Sequence, residues 1–224
     1  MSLRLIGLKD RSMLKPQKDV TIYIYRREGK KSEELLKSAL EAYWDRPVLQ
    51  LPKVERTDKG KPYFSEIPEL HFSISHSGQY WACAFCRENV GLDLQECVGR
   101  IRETKEEASE RLIKMAGRFF QGVEKDFVAR DGFEHFFTVW AAREAYVKYT
   151  GQGIDRQFSD YCVIPKVRKD WSLIEGRTDH AIWKAMDCIF YKTYCKEKFV
   201  ICVCTNKVHE CRVVDCTYKN SVAD

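Results

Sequence analysis

The chain has 224 residues, with 38 Lys+Arg against 33 Asp+Glu for a net charge of +5, and is 44% hydrophobic and 12% aromatic. That content excludes a disordered chain, and the length buries a core without disulfide or metal staples. The mild positive excess suits anionic ligands but falls short of a dedicated nucleic-acid binder. No run approaches the roughly 18 apolar residues of a membrane span, and the opening residues hold too short an apolar run for a signal peptide. A cytoplasmic protein that engages neither nucleic acid nor membrane is the expectation.

Val20–Tyr25 is β-branched and aromatic and predicts a strand. Ser32 followed by Glu33 and Glu34 predicts a helix start, and Leu35, Leu36, Ala39, Leu40 and Tyr43 recur at helical spacing up to about Trp44. Residues 46–62 read as loop with short strands, closing on a turn at Asp58–Pro62. Three strand-like runs follow, Leu70–Ile74, Tyr80–Phe85 and Val90–Leu94, separated by turn signals at Ser77-Gly78 and Glu88-Asn89. Beyond Val98 the pattern changes. Thr104 and Glu107 have capping-box spacing for a helix to Phe120, Asp131 and Glu134 mark a second start before His135–Thr150, and Gly151 is the stop. Further strands are predicted at Tyr161–Ile164, Ala181–Trp183, Cys188–Tyr194 and Phe199–Thr205. The tail from Asn206 is polar and low in pattern. Both parts thus share a grammar of helix then antiparallel strands, which predicts an α+β fold of two similar half-domains, residues 1–97 and 98–224.

Ten cysteines in such a chain are most simply reduced thiols filling apolar positions. The cluster of Cys195, Cys202, Cys204, His209, Cys211 and Cys216 lacks paired C-x-x-C knuckles. It nevertheless keeps open a rival reading, a cysteine-rich module binding zinc or nucleic acid.

Four groups of residues could carry chemistry. Ser75, His76 and Ser77 precede Gly78 at a strand end and could donate to a phosphate oxygen, or simply form a polar turn. Asp93 interrupts an apolar strand, facing opposite to Leu92 and Leu94 and alongside Gln95 only if the strand bends. A carboxylate there either meets water at an edge or holds a cation. Trp140, Glu144, Lys148 and Gly151 fall on one helical stripe. Glu144 and Lys148 suit an i,i+4 ion pair, or else a division of labour between a cation and a phosphate. Lys59, Lys61 and the basic run Arg26, Arg27, Lys30 and Lys31 lie at turns where point charges bind phosphate or are merely solvated.

In order, Gly60-Lys61-Pro62, Ile74-Ser75-His76-Ser77, Gly91-Leu92-Asp93, Trp140-x-x-x-Glu144-x-x-x-Lys148 and Gly151-x-Gly153 resemble the Sfp-like phosphopantetheinyl transferases. The resemblance implies two similar α+β halves, each with a helix packed on a small antiparallel sheet, and coenzyme A bound between them. It implies Mg²⁺-dependent transfer of the phosphopantetheine arm to a serine of an acyl- or peptidyl-carrier protein, with adenosine 3',5'-bisphosphate leaving. Asp93 and Glu144 match the metal carboxylates, His76 (with Ser75) a pyrophosphate contact, Lys148 the lysine near the phosphates and Lys61 a basic nucleotide contact. Glu144 is the candidate base and Lys148 its alternative.

Two departures from the family pattern stand out. Many members carry an acid two residues after the Asp, where this chain has Gln95, a neutral oxygen for the metal or for its water. The long basic segment before the first helix is replaced by about thirty residues, leaving Arg26, Arg27, Lys30 and Lys31 as candidates for the adenosine 3'-phosphate. Together these departures make an inactive coenzyme A-binding relative conceivable. Arg111, Lys114, Arg118 and Lys125, with Met115, Phe119 and Phe120, form the expected docking surface for an acidic carrier, although one of the two phenylalanines belongs to the core. Two halves in one chain make a monomer sufficient.

Overall fold

A computed structural model describes residues 20–120, 122–153, 160–175, 180–195, 199–207 and 210–217. His209 of the cysteine cluster lies outside them. Strand β1 (Val20–Arg26) is followed by helix α1 (Ser32–Trp44), the hairpin β2 (Val54–Arg56) and β3 (Pro62–Phe64), then β4 (His71–Ser77), β5 (Tyr80–Cys86) and β6 (Gly91–Glu96). Three helices come next, α2 (Lys105–Phe119), α3 (Val123–Arg130) and α4 (Gly132–Thr150). A 3₁₀ turn (Arg168–Leu173) leads to β7 (His180–Ala185), β8 (Cys188–Cys195), β9 (Phe199–Thr205) and β10 (Cys211–Asp215).

The strands make two four-stranded sheets, ordered β10-β1-β5-β4 and β6-β9-β8-β7. The halves therefore exchange a strand across residue 97: β6 joins the second sheet and β10 the first. The tail expected to be patternless supplies β10, which runs parallel to β1 with Val20 beside Cys211 and Ile24 beside Asp215. The strand expected at Tyr161–Ile164 is absent, that segment being irregular, and α3 lies between the two predicted helices.

Alternation explains the layering. Ile22, Ile24, Ala82 and Ala84 on the inner face of the first sheet pack against Leu92, Leu94, Ile201 and Val203 of the second. The opposite face of the first sheet, with Tyr23, Trp81, Cys83 and Phe85, receives Leu35, Leu36, Ala39 and Leu40 of α1. On the outer face of the second sheet, Val200, Cys202 and Cys204 meet Val139, Ala142 and Ala145 of α4, with Leu112 and Ala116 of α2 beyond. The order is helix, sheet, sheet, helices. Cys83, Cys86, Cys202 and Cys204 are buried thiols within it.

The helix starts follow their local chemistry. Glu107 N–H donates to Thr104 Oγ1 at 3.2 Å and Thr104 N–H to Glu107 Oε2 at 2.9 Å, so the capping box on α2 is complete. Asp131 caps α4 by accepting from Glu134 N–H, and Gly151 closes it at φ +69°. Ser32 begins α1, yet its hydroxyl accepts from Trp81 Nε1 at 2.7 Å instead of capping the helix. None of the described helices is long and apolar enough to cross a membrane.

Candidate active site

The site is built where α4 crosses β6, and Gly91 makes that crossing possible. A Cβ at Gly91 would lie 2.0 Å from the Ala145 carbonyl oxygen and 2.4 Å from Tyr149 N, so backbone meets backbone there. Two residues on, Asp93 lies on the same face of β6, and one turn of α4 either side of Ala145 carries Glu144 and Lys148. β6 pairs with β9 in unbroken register from Gly91 to Glu96. Asp93 and Gln95 therefore share a face without any bend, which the sequence reading had required.

Asp93 is 2% exposed. Its Oδ1 accepts from Lys148 Nζ at 2.7 Å and from Ser75 Oγ at 2.7 Å, and its Oδ2 accepts from Gln95 Nε2 at 2.7 Å. Lys148 also donates to Ser75 Oγ at 2.9 Å. The lysine thus pairs across elements with Asp93, where helical spacing had offered Glu144.

Ser75 belongs to a seam that joins the sheets. The edge strands β4 and β6 lie in different sheets, and serines at alternate positions bridge them. Leu92 N–H donates to Ser73 Oγ at 2.9 Å and Glu96 N–H to Ser77 Oγ at 3.0 Å. Because strand neighbours alternate, Ser75 pairs with Ala82 and faces β6, whereas His76 pairs with Trp81 and faces the other way. Ser75 and His76, read together as phosphate donors, are thereby separated, and the Ser75 hydroxyl is taken up by Asp93 and Lys148.

Burial, reinforced by the Asp93 charge, pushes the Glu144 carboxyl above its usual range, with Lys148 opposing. Two carboxylates with a hydroxyl and an amide beside them offer a hard oxygen donor set of the kind that suits Mg²⁺, which takes one or two carboxylates and leaves other positions to water and phosphate. Among the described residues no group of three or more His, Cys, Asp or Glu is arranged to hold a metal.

His76 and Lys148 line an open cleft of about 2070 Å³, together with Arg27, Lys59, Lys61 and Trp81. That is ample for a nucleotide with an extended arm. Of the residues expected to bind the coenzyme, Arg26, Lys30 and Lys31 are not in its lining; Arg26 pairs with Tyr80 on the inward face of β1, whereas Arg27 of the same basic run reaches the cleft. Lys61 lines the cleft, but its ammonium is engaged by Asn89 Oδ1 at 2.5 Å, Tyr149 O at 2.9 Å and Val90 O at 3.3 Å, at the carboxyl end of α4. Burial lowers its pKa to about 8.

Two contributions escaped the sequence reading. Asn89, taken for a turn residue, also donates to Tyr149 O at 2.8 Å and so fastens α4 to the start of β6. Arg143, fully buried beside Glu144 in sequence, pairs with the equally buried Glu124 of α3. It also donates to Tyr161 O at 2.5 Å, and its guanidinium lies 5.0 Å from the Phe120 ring centre. Glu124 accepts in addition from Val163 N–H at 2.8 Å. The one available signal was the setting of Arg143 among Ala141, Ala142 and Ala145. On the expected docking surface, Phe120 is 1% exposed and Phe119 43%, and Arg111 is held by a two-pronged bridge to Glu103. Lys114 and Arg118 remain exposed beside Phe119.

Comparison with known proteins bears on this arrangement. The sequence model of the 4'-phosphopantetheinyl transferase superfamily matches residues 89–204, which include Asp93, Glu144 and Lys148. The 4'-phosphopantetheinyl transferase Sfp of Bacillus subtilis (strain 168) is 31% identical over 108 residues, 46% of this chain and 43% of that protein. The 4'-phosphopantetheinyl transferase psf-1 of Bacillus pumilus is 26% identical over 179 residues, 78% of this chain and 69% of the other. A Xenopus laevis L-aminoadipate-semialdehyde dehydrogenase-phosphopantetheinyl transferase is 27% identical over 131 residues, 54% and 41% respectively. The chain spans about half the length of the first of these curated relatives.

Proposed function

The chain belongs to the 4'-phosphopantetheinyl transferase superfamily, and from that membership we propose that it moves the phosphopantetheine arm of coenzyme A onto a serine hydroxyl of an acyl- or peptidyl-carrier protein. The observation that carries the reading is the meeting of Asp93 from β6 with Lys148 from α4, 2.7 Å apart at the wall of a basic cleft.

In this reading Asp93 and Glu144 would hold Mg²⁺, with Gln95 orienting Asp93; when bound, the ion would neutralise diphosphate charge and stabilise the leaving phosphate. The residues of the chain do the rest. His76 and Arg27 face the cleft from the first sheet, where they suit the diphosphate and the 3'-phosphate. Lys148, and Lys61 once released from the end of α4, add positive charge beside them. Glu144 is the candidate acceptor of the serine proton, with Lys148 its alternative. As that proton leaves, the serine oxygen bonds to the phosphorus carrying the pantetheine arm. The bond from that phosphorus to the bridging oxygen breaks, and adenosine 3',5'-bisphosphate departs with the electron pair.

Incubation of an apo carrier protein with coenzyme A, Mg²⁺ and the chain tests this by mass spectrometry. The expected result is a gain of one phosphopantetheine arm, abolished by Asp93→Ala or Glu144→Ala. No gain across acyl and peptidyl carriers would refute it.

A further inference from the structure

The partners of Asp93 differ in kind. Ser75 and Gln95 are neutral and short, and both are held within the strand seam. Lys148 is charged and sits on a long side chain that is 30% exposed, against 2% for Asp93. It lines the cleft, while Asp93 and Glu144 do not. Lys148, whose ammonium rests on Asp93 Oδ1, is therefore the member of the cluster that reaches the cleft.

We propose that Lys148 is a stand-in cation, held on Asp93 until a divalent ion displaces it and leaves its ammonium free at the cleft wall for a phosphate. The inference rests on reading Asp93 and Glu144 as the cation carboxylates, and it adds an order of events to that reading. Two carboxylates and one ammonium leave the cluster a single negative charge. A divalent ion that joined Asp93 with the ammonium still 2.7 Å from the same oxygen would set two positive charges side by side where burial screens them little. The flexible lysine yields, because Asp93 is fixed by Ser75 and Gln95. Its new position faces the basic lining, where it gains only if an anion is present. Cation binding and anion binding thus favour each other through one side chain.

Mn²⁺ titrated into the full chain without nucleotide, with free Mn²⁺ followed by electron paramagnetic resonance, separates the possibilities. Lys148→Met keeps the length and removes the charge; it is expected to bind Mn²⁺ about tenfold more tightly than the unmodified chain. Lys148→Gln should shift affinity the same way, and Asp93→Asn should abolish binding. Equal or weaker binding by both lysine variants, with Asp93→Asn still abolishing it, overturns the stand-in role and leaves the cation site intact. Absence of Mn²⁺ binding in every form overturns the cation site and the stand-in role together.

Discussion

Gly91→Ala probes the contact on which the whole site depends. The added methyl would sit 2.0 Å from the Ala145 carbonyl oxygen and 2.8 Å from the Tyr149 Cα, and neither is the tip of a flexible side chain. Restoring an ordinary contact of about 3.5 Å requires α4 to move off β6 by about 1.5 Å. A shift of that size carries the 2.7 Å bond from Lys148 to Asp93 beyond the roughly 3.2 Å limit of a good hydrogen bond. Overpacking of this kind costs about 1–3 kcal/mol, which in a chain of this size lowers the melting temperature by about 2–12 °C. A misplacement of about 1 Å in a catalytic site costs on the order of 100-fold in rate, so activity should fall further than stability. Urea unfolding gives the first quantity, and arm transfer at a temperature where the variant is folded gives the second. A variant within about 0.5 kcal/mol and twofold of the parent would show that the close approach does not set the geometry.

The remaining predictions concern the neighbouring charges. Glu144→Gln should inactivate the protein yet stabilise it at neutral pH. A carboxyl raised on folding supplies stability below its unfolded value of 4.5, lost as pH rises through the folded value, so the gain should vanish in melting curves taken toward pH 4.5. Glu124→Gln removes the carboxylate that pairs with the fully buried Arg143 and should cost about 3–5 kcal/mol in urea unfolding, most of which the double variant Glu124→Leu with Arg143→Met recovers. A cost under about 1 kcal/mol for the single change would contradict that account. Lys114→Glu with Arg118→Glu should raise KM for an acidic carrier, with the effect shrinking as salt is added. An unchanged KM at low salt would remove this face from the docking surface.

Much of the molecule follows from short-range chemistry. The capping box of Thr104 and Glu107, the Asp131 start and the Gly151 stop place α2 and α4 to within a few residues, because the first-turn N–H groups need local partners. Trp140, Glu144 and Lys148 on one stripe and Asp93 in an apolar strand are each ambiguous alone, and their order along the chain with the other motifs is what singles out a candidate site before any fold is known. What the sequence left undetermined are contacts between residues far apart along the chain. Glu144 offered Lys148 a partner one turn away, but the lysine pairs with Asp93, 55 positions distant, since only the packing of α4 on Gly91 brings that carboxylate within reach. Nothing local distinguishes Arg26 from Arg27; which of the two reaches the cleft depends on the register of β1 with β5. Ser75 and Ser77 read as phosphate donors or a polar turn until β6 crosses into the other sheet and gives their hydroxyls, and that of Ser73, a row of partners. Periodicity and caps determined the elements, and the ordered motifs the candidate residues, whereas the strand exchange between the two sheets decided which charges meet.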